Sequence, residues 1–329
     1  MTGMFARTGA RIPLGSAVQR NAWLIGLMGF LALLLVFTKL IQPNYGVTGV
    51  QGLAISVLPL ALAAVGQAIV VISGGIDLSI GAMMALISVI SASLMKGQPE
   101  EFAVVVVLGV LLLGLVLGAV NGGVVVVTRV PDIVVTLAMS FVWAGCALLV
   151  LKTPGGGSAA WLKELITGSV GSEWIPKAAV VLVVVVALVW IPLRRSRLGL
   201  SIYAIGSSRL AAFRSGVSVG RTKILAYAFT GLFAALGGLS LTASTGIGTP
   251  VPGPYTLMSV AAVVLGGVSL AGGRGGVFGA IVAVMILQLI RTDITFLNIN
   301  PNLAVVVQGV ILIGVVMIGS LVQIRRARA

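Results

Sequence analysis

The chain has 329 residues, 59% of them hydrophobic and only 9% charged, with a formal net charge of +14 and a mean hydropathy of +1.19. A soluble domain carries roughly a quarter charged residues, so this composition cannot cover a surface in water, and a soluble enzyme, a disulfide scaffold and a disordered chain are excluded. What remains is an all-α integral membrane protein, read as one transmembrane domain over 1–329.

In chain order, a basic N-terminal tail (1–21) precedes an apolar run from Ala22 to Ile41. Signal-peptide h-regions are about 7–15 residues long; this run is longer and reads as a retained first helix. Spans of about 20 apolar residues recur from there on. Their periodicity and breakers predict helices near 22–41, 53–72, 78–95, 102–127, 133–151, 178–193, 224–243, 255–271, 277–291 and 303–323. Gln42-Pro43-Asn44, Ser73-Gly74-Gly75, Lys96-Gly97-Gln98-Pro99, Val130-Pro131-Asp132 and Thr153-Pro154-Gly155-Gly156 punctuate them. The pair 255–271 and 277–291 is short and interrupted by glycine, so one or both are candidates for broken or re-entrant helices, which membranes tolerate only where protein or a cavity surrounds them.

About ten crossings put both termini on one side. Lys39, Lys96, Lys152, Lys163, Lys177 and Arg291 then share one face with Glu100, Glu101, Glu164, Glu173 and Asp293, and the other fifteen of the 21 basic residues share the opposite face. The positive-inside bias makes the second face cytoplasmic. The basic excess is thus a topology signal, and no nucleic-acid partner is expected.

Asp77 is an acid set within the apolar succession, where a charge at a helix centre costs about 2.5–3.5 kcal/mol on insertion scales. After the Ser73-Gly74-Gly75 break its carboxylate can cap the next helix, or it can contact substrate at a discontinuous helix. Asp132, after Pro131, can likewise cap the fifth helix and pair with Arg129. Gly114, Gly118 and Gly122 recur every fourth residue, a spacing that lets helix backbones approach closely in lipid. Gln67, Ser79, Asn121, Thr136 and Gln288 are polar spots that could bond a solute hydroxyl or join two helices.

The longest connection between spans, 194–223, holds seven basic residues. Within it Ser208-Arg209-Leu210-Ala211-Ala212-Phe213-Arg214-Ser215-Gly216 reads as a short helix with Ser208 at its N-cap and Gly216 at its stop. Leu210, Phe213 and Val217 fall at roughly helical spacing. That face suits either a partner's groove or the lipid headgroup layer.

A helix ending in Ala-Ala-x-x-Ser-Gly in such a loop resembles the coupling segment of ATP-binding-cassette importer permeases. Gly74-Gly75-Ile76-Asp77-Leu78-Ser79-Ile80-Gly81, Asn121-Gly122, Thr136-Leu137 and the run Leu265-Gly266-Gly267-Val268-Ser269-Leu270-Ala271-Gly272-Gly273-Arg274-Gly275-Gly276 are similar, in the same order, to the ribose/xylose/galactose-type monosaccharide permeases. The chain departs from that pattern where an acidic residue often precedes the Ala-Ala pair: Arg209-Leu210 stand there instead. The resemblance implies a type II importer permease fold with some spans short or broken. It implies a monosaccharide path in a bacterial inner membrane, a cytoplasmic ATPase docked on 194–223, an external sugar-binding protein and a second permease subunit, identical or not. On this reading Gly74, Gly75, Asp77, Ser79, Asn121 and Thr136 are the candidates for the path or its helix break.

No Walker A loop, which requires G-x-x-x-x-G-K-[ST], is present. ATP therefore belongs to a partner, no cofactor is expected, and the chain is read as a transport subunit rather than an enzyme. The alternative is a self-sufficient ion-coupled transporter of a small polar solute. Such proteins keep intramembrane acids or histidines to carry the ion; here histidine is absent and Asp77 is the one candidate.

Overall fold

The computed structural model describes residues 14–300 and scattered positions from 303 to 317. The expected tail 1–21 falls mostly, and the expected span 303–323 largely, outside the described residues. Among the described residues, seven helical segments are long and apolar enough to cross a membrane: α1 (Leu14–Ile41), α2 (Val47–Ile72), α4 (Phe102–Thr128), α5 (Asp132–Val150), the stretch Lys177–Arg195, α11 (Val219–Thr245) and α13 (Val277–Phe296). Lys177–Arg195 is built from α7 (Lys177–Val185), a π-helical turn at Val186–Trp190 and α8 (Ile191–Arg195). Among the described residues two further apolar helices are shorter, α3 (Ile80–Met95) and α12 (Tyr255–Leu265).

α2 is apolar on every side and is buried along nearly its whole length from Val57 to Ile72, as a helix surrounded by other helices must be. α11, α12, α13 and α7 pack around it. The outer helices show lipid a row of large apolar side chains, among them Leu33, Val36 and Leu40 on α1 and Val105, Leu108 and Leu112 on α4.

α4 meets α11 through the glycine series. A Cβ on Gly118 would collide with the Tyr227 carbonyl and come within 2.9 Å of the Gly231 amide; one on Gly122 would come within 2.8 Å of the Ile224 Cα. Gly231 returns the contact against the Gly114 carbonyl. In lipid, where apolar burial gives helices no reason to associate, such backbone-to-backbone contact supplies the attraction.

The molecule has two distinguishable ends. At the basic end the loops after α2, α4 and α12 meet the connection 194–223, which holds two helices rather than the single one expected: α9 (Arg197–Ser207) and α10 (Arg209–Arg214). At the opposite end α6 (Ala160–Ile166) and a small antiparallel hairpin, β1 (Ser169–Val170) with β2 (Ser172–Pro176), cover the helix tips. There the Glu100 carboxylate accepts from the Ala160 amide at 2.9 Å, and Gly155 pairs with Gly248.

The expected helix 255–271 proves shorter. α12 has 11 residues, about 16 Å at 1.5 Å per residue, and Gly246–Pro254 before it is non-helical. This stretch lies within the helical layer. Gly248 sits against Ser88, Val89 and Ala92 of α3, whereas Thr256 accepts from the Gly81 amide at 3.1 Å. From Val89 to Gly81 is about 12 Å along α3, so the unwound stretch and α12 together cover about 28 Å, close to the roughly 30 Å of a bilayer core. Pro250, Pro252 and Pro254 explain why the upper part cannot be helical: each removes an N–H and its ring collides with the preceding turn.

Candidate functional site

The loop between α2 and α3 folds back into the helical layer, and the six path candidates meet around it. Gly74 has a positive φ of 80° and turns the chain at the end of α2. Gly75 has no room for a side chain: a Cβ there would strike Asp132 Oδ2 and lie 3.0 Å from the Tyr227 hydroxyl. The Asp77 Oδ1 accepts from the Ser79 amide at 2.8 Å and from the Ser79 hydroxyl at 2.6 Å. Asp77 therefore forms an Asx turn onto Ser79, the N-cap residue of α3, and among the described residues makes no bond to the amides of α3 itself. Asn121 donates to Ser79 Oγ at 2.7 Å and accepts from the Trp143 indole at 3.0 Å, tying α4 and α5 to the loop. Thr136 accepts from the Leu78 amide at 3.0 Å and shares its hydroxyl hydrogen between the Ile76 and Asp132 carbonyls. With its amide nitrogen toward the Asp77 carbonyl, Gln67 donates there at 3.0 Å and accepts from the Asp77 amide at 3.2 Å.

Gln67, Asp77, Ser79, Asn121 and Thr136 are all fully buried, and their polar atoms are largely spent on one another. Asp77 Oδ2 is the exception, buried without a hydrogen-bond partner among the described residues. Chemically the cluster is a brace: it satisfies the backbone of a broken helix deep in the protein, as buried polar groups require.

Behind the brace lies an ion pair that the sequence did not suggest. Lys223 at the start of α11 meets Asp132 at 2.6 Å, and Tyr227 donates to the other Asp132 oxygen at 2.9 Å. Asp132 therefore faces Lys223 rather than Arg129, because Arg129 ends α4 in a left-handed turn (φ 59°) and is held apart from it. A lysine one turn into an apolar helix was the available signal. Gln288 joins helices: it donates to the Ser56 carbonyl at 2.8 Å.

The connection 194–223 is ordered by short-range chemistry. Ser196 caps α9 by accepting from Gly199 at 3.1 Å, and Ser208 caps α10 by accepting from Ala211 at 3.3 Å. Gly216, at φ 82°, ends α10, with Val217 donating to the Ala212 carbonyl in a Schellman arrangement. Ala212 faces inward, while Leu210 and Phe213 are 60% and 68% exposed at the tip of the basic end beside Arg209 and Arg214. α9 anchors this tip. Gly206 lies directly on the Ile72 carbonyl, Gly273 donates to that same carbonyl at 2.8 Å, and the Tyr203 hydroxyl donates to Gly275 at 2.8 Å. Burial pushes the Tyr203 phenol up, and Arg194 partly offsets this, so it stays a donor at neutral pH.

At the opposite end a cavity of about 450 Å³ opens between α2, α11, α12 and α13, with Thr245 and Tyr255, the residues flanking the unwound stretch, in its wall.

The family model described as branched-chain amino acid transport system / permease component matches residues 49–316. The ribose import permease protein of Escherichia coli strain K12 is 30% identical over 307 residues, covering 91% of this chain and 95% of that protein. The galactose/methyl galactoside import permease protein of Haemophilus influenzae is 34% identical, covering 78% and 82% respectively, and the D-allose transport system permease protein of E. coli K12 is 27% identical, covering 91% and 92%. No solved structure matches.

Proposed function

The chain belongs to the branched-chain amino acid transport system / permease component family, and from that premise we propose that it is the transmembrane permease subunit of a binding-protein-dependent importer of a monosaccharide. The sugar class rests on relatives named for ribose, galactose and allose. The basic end is cytoplasmic, both termini lie on that side, and the membrane is the bacterial inner membrane. ATP is bound and hydrolysed by a separate subunit docked on 208–216, while an external sugar-binding protein delivers the substrate and a second permease subunit completes the path.

The observation that carries the mode of action is the tip of α10. Two exposed apolar side chains between two arginines, on a helix capped at both ends, form a preformed knob for a partner's groove. The knob does not stand alone: α9 connects it through Gly206 to the end of α2 and the brace around Asp77. A displacement of the docked ATPase is thereby delivered to the break between α2 and α3.

The test is reconstitution in vesicles with the ATPase and binding protein of the same system. Uptake of a labelled monosaccharide that requires ATP and all components is expected, as is the absence of ATP turnover by the purified chain alone. Uptake by the chain alone, driven by an ion gradient, would overturn the reading.

A further inference from the structure

We propose that the unwound stretch Thr249–Pro254, with the adjoining cavity, is a water-lined binding site for the hydroxyl groups of a neutral sugar. The proposal deepens the permease reading above and rests on it for the identity of the ligand. Its physical core is independent of that reading.

Thr249, Gly253 and Pro254 are exposed, and Val251 is 65% exposed. From Thr249 to Gly253 no backbone hydrogen bond is made among the described residues. Yet the stretch runs beside α3, between the levels of Val89 and Gly81, within the layer that lipid surrounds. Unpaired backbone cannot face hydrocarbon; at membrane depth it occurs only against protein or a water-filled cavity. Such unwound stretches are where transporters hold polar solutes.

The prolines decide the polarity of the stretch. Three of its six residues lack an N–H, so it offers more acceptors than donors. The cavity wall continues that character. Ser56 and Thr245 spend their hydroxyl hydrogens on backbone carbonyls, and Gln288 spends an amide hydrogen on Ser56, leaving their oxygens as acceptors. Donors come from the Arg291 guanidinium, the Tyr255 hydroxyl and the second amide hydrogen of Gln288. An acceptor-rich wall with a few N–H and O–H donors set into it suits a polyol, whose every hydroxyl both donates and accepts. Among the described residues no carboxylate lines the cavity, so a cationic solute finds no counter-charge there. A volume of about 450 Å³ lies within the range of small-molecule sites.

The experiment uses the complete importer in vesicles, with Cys146→Ala as parent and single cysteines at Val251, at Arg291 and, as a lipid-facing control, at Leu112. Labelling from outside by a charged, membrane-impermeant thiol reagent is expected at Val251→Cys and Arg291→Cys but not at Leu112→Cys. Labelling at Val251→Cys should slow at least fivefold when D-ribose, D-galactose or D-allose is supplied with the binding protein. In the parent background Gln288→Leu and Arg291→Leu should each reduce uptake at least tenfold while complex assembly persists. Labelling at Val251→Cys no faster than at Leu112→Cys would overturn the water-lined site. Labelling without protection by any sugar, or undiminished uptake by both substitutions, would overturn the sugar assignment. A parent that assembles but transports no sugar would instead count against the permease reading, with the labelling pattern still deciding whether the stretch is wet.

Discussion

Gly206 rests on the carbonyl of Ile72 so closely that even one methyl group would collide with it, and Gly273 donates to that same carbonyl at 2.8 Å. The last turn of α9, the end of α2 and the loop after α12 thus share a single oxygen. Gly206→Val must pry α9 from α2. The expected outcome is an importer that assembles and hydrolyses ATP but loses at least tenfold in uptake, measured as sugar transported per ATP consumed in vesicles.

The exposed tip makes a different prediction. Leu210→Asp with Phe213→Asp puts two charges where apolar side chains now stand 60% and 68% exposed. Neither supports the interior, so membrane insertion and thermal stability should be unchanged while co-purification of the ATPase is abolished. Retained co-purification would show that α10 is not the docking element.

The Lys223–Asp132 pair, at 2.6 Å with both side chains largely buried, sets up a double-mutant comparison. Lys223→Met leaves a buried carboxylate without its partner, which typically costs about 3–5 kcal/mol. Replacing both, Lys223→Met with Asp132→Asn, removes the stranded charge and should recover more than half of that loss. Thermal unfolding followed by size-exclusion chromatography in detergent reads both variants; additive losses would show that the two residues act separately.

Thr136 provides a test of the brace. Thr136→Val keeps the shape of the side chain but strands the Leu78 amide that it accepts from at 3.0 Å. A buried polar group left unsatisfied costs about 1–3 kcal/mol, and a downward shift in melting temperature is expected. A variant with normal stability but altered sugar preference would instead place Thr136 in contact with substrate.

Much of this was legible in the sequence, and the reasons differ by element. Long apolar runs bounded by Gly and Pro located α1, α2, α4, α5 and α13, because a bilayer imposes length as well as composition. Ser208 and Gly216 located α10 through capping chemistry that needs no tertiary context. α9 was not foreseen, since its short amphipathic face is recognisable only against the end of α2 that it covers. The candidate residues from Gly74 to Thr136 did prove to be neighbours, but a list of polar side chains could not show that they bond one another rather than point into an open path. Charge patterning assigns Lys223 only a side of the membrane, not a depth within a helix end, so its burial against Asp132 is not legible from it.

The span that ends in α12 also bears on how the chain enters its membrane. With only 11 helical residues it falls well short of the roughly 17–25 that a lone helix needs to partition into lipid, and the three prolines above it bar any extension. Such a segment has no independent reason to leave the insertion machinery. It must be carried across with α11 and α13, which enclose it from both sides in sequence, so the last third of the chain matures as one unit. A chain interrupted between Thr245 and Val277 should therefore stall with α12 unthreaded and be cleared by quality-control proteases, whereas an interruption in the loop between α5 and α7 leaves each half with spans able to insert unaided.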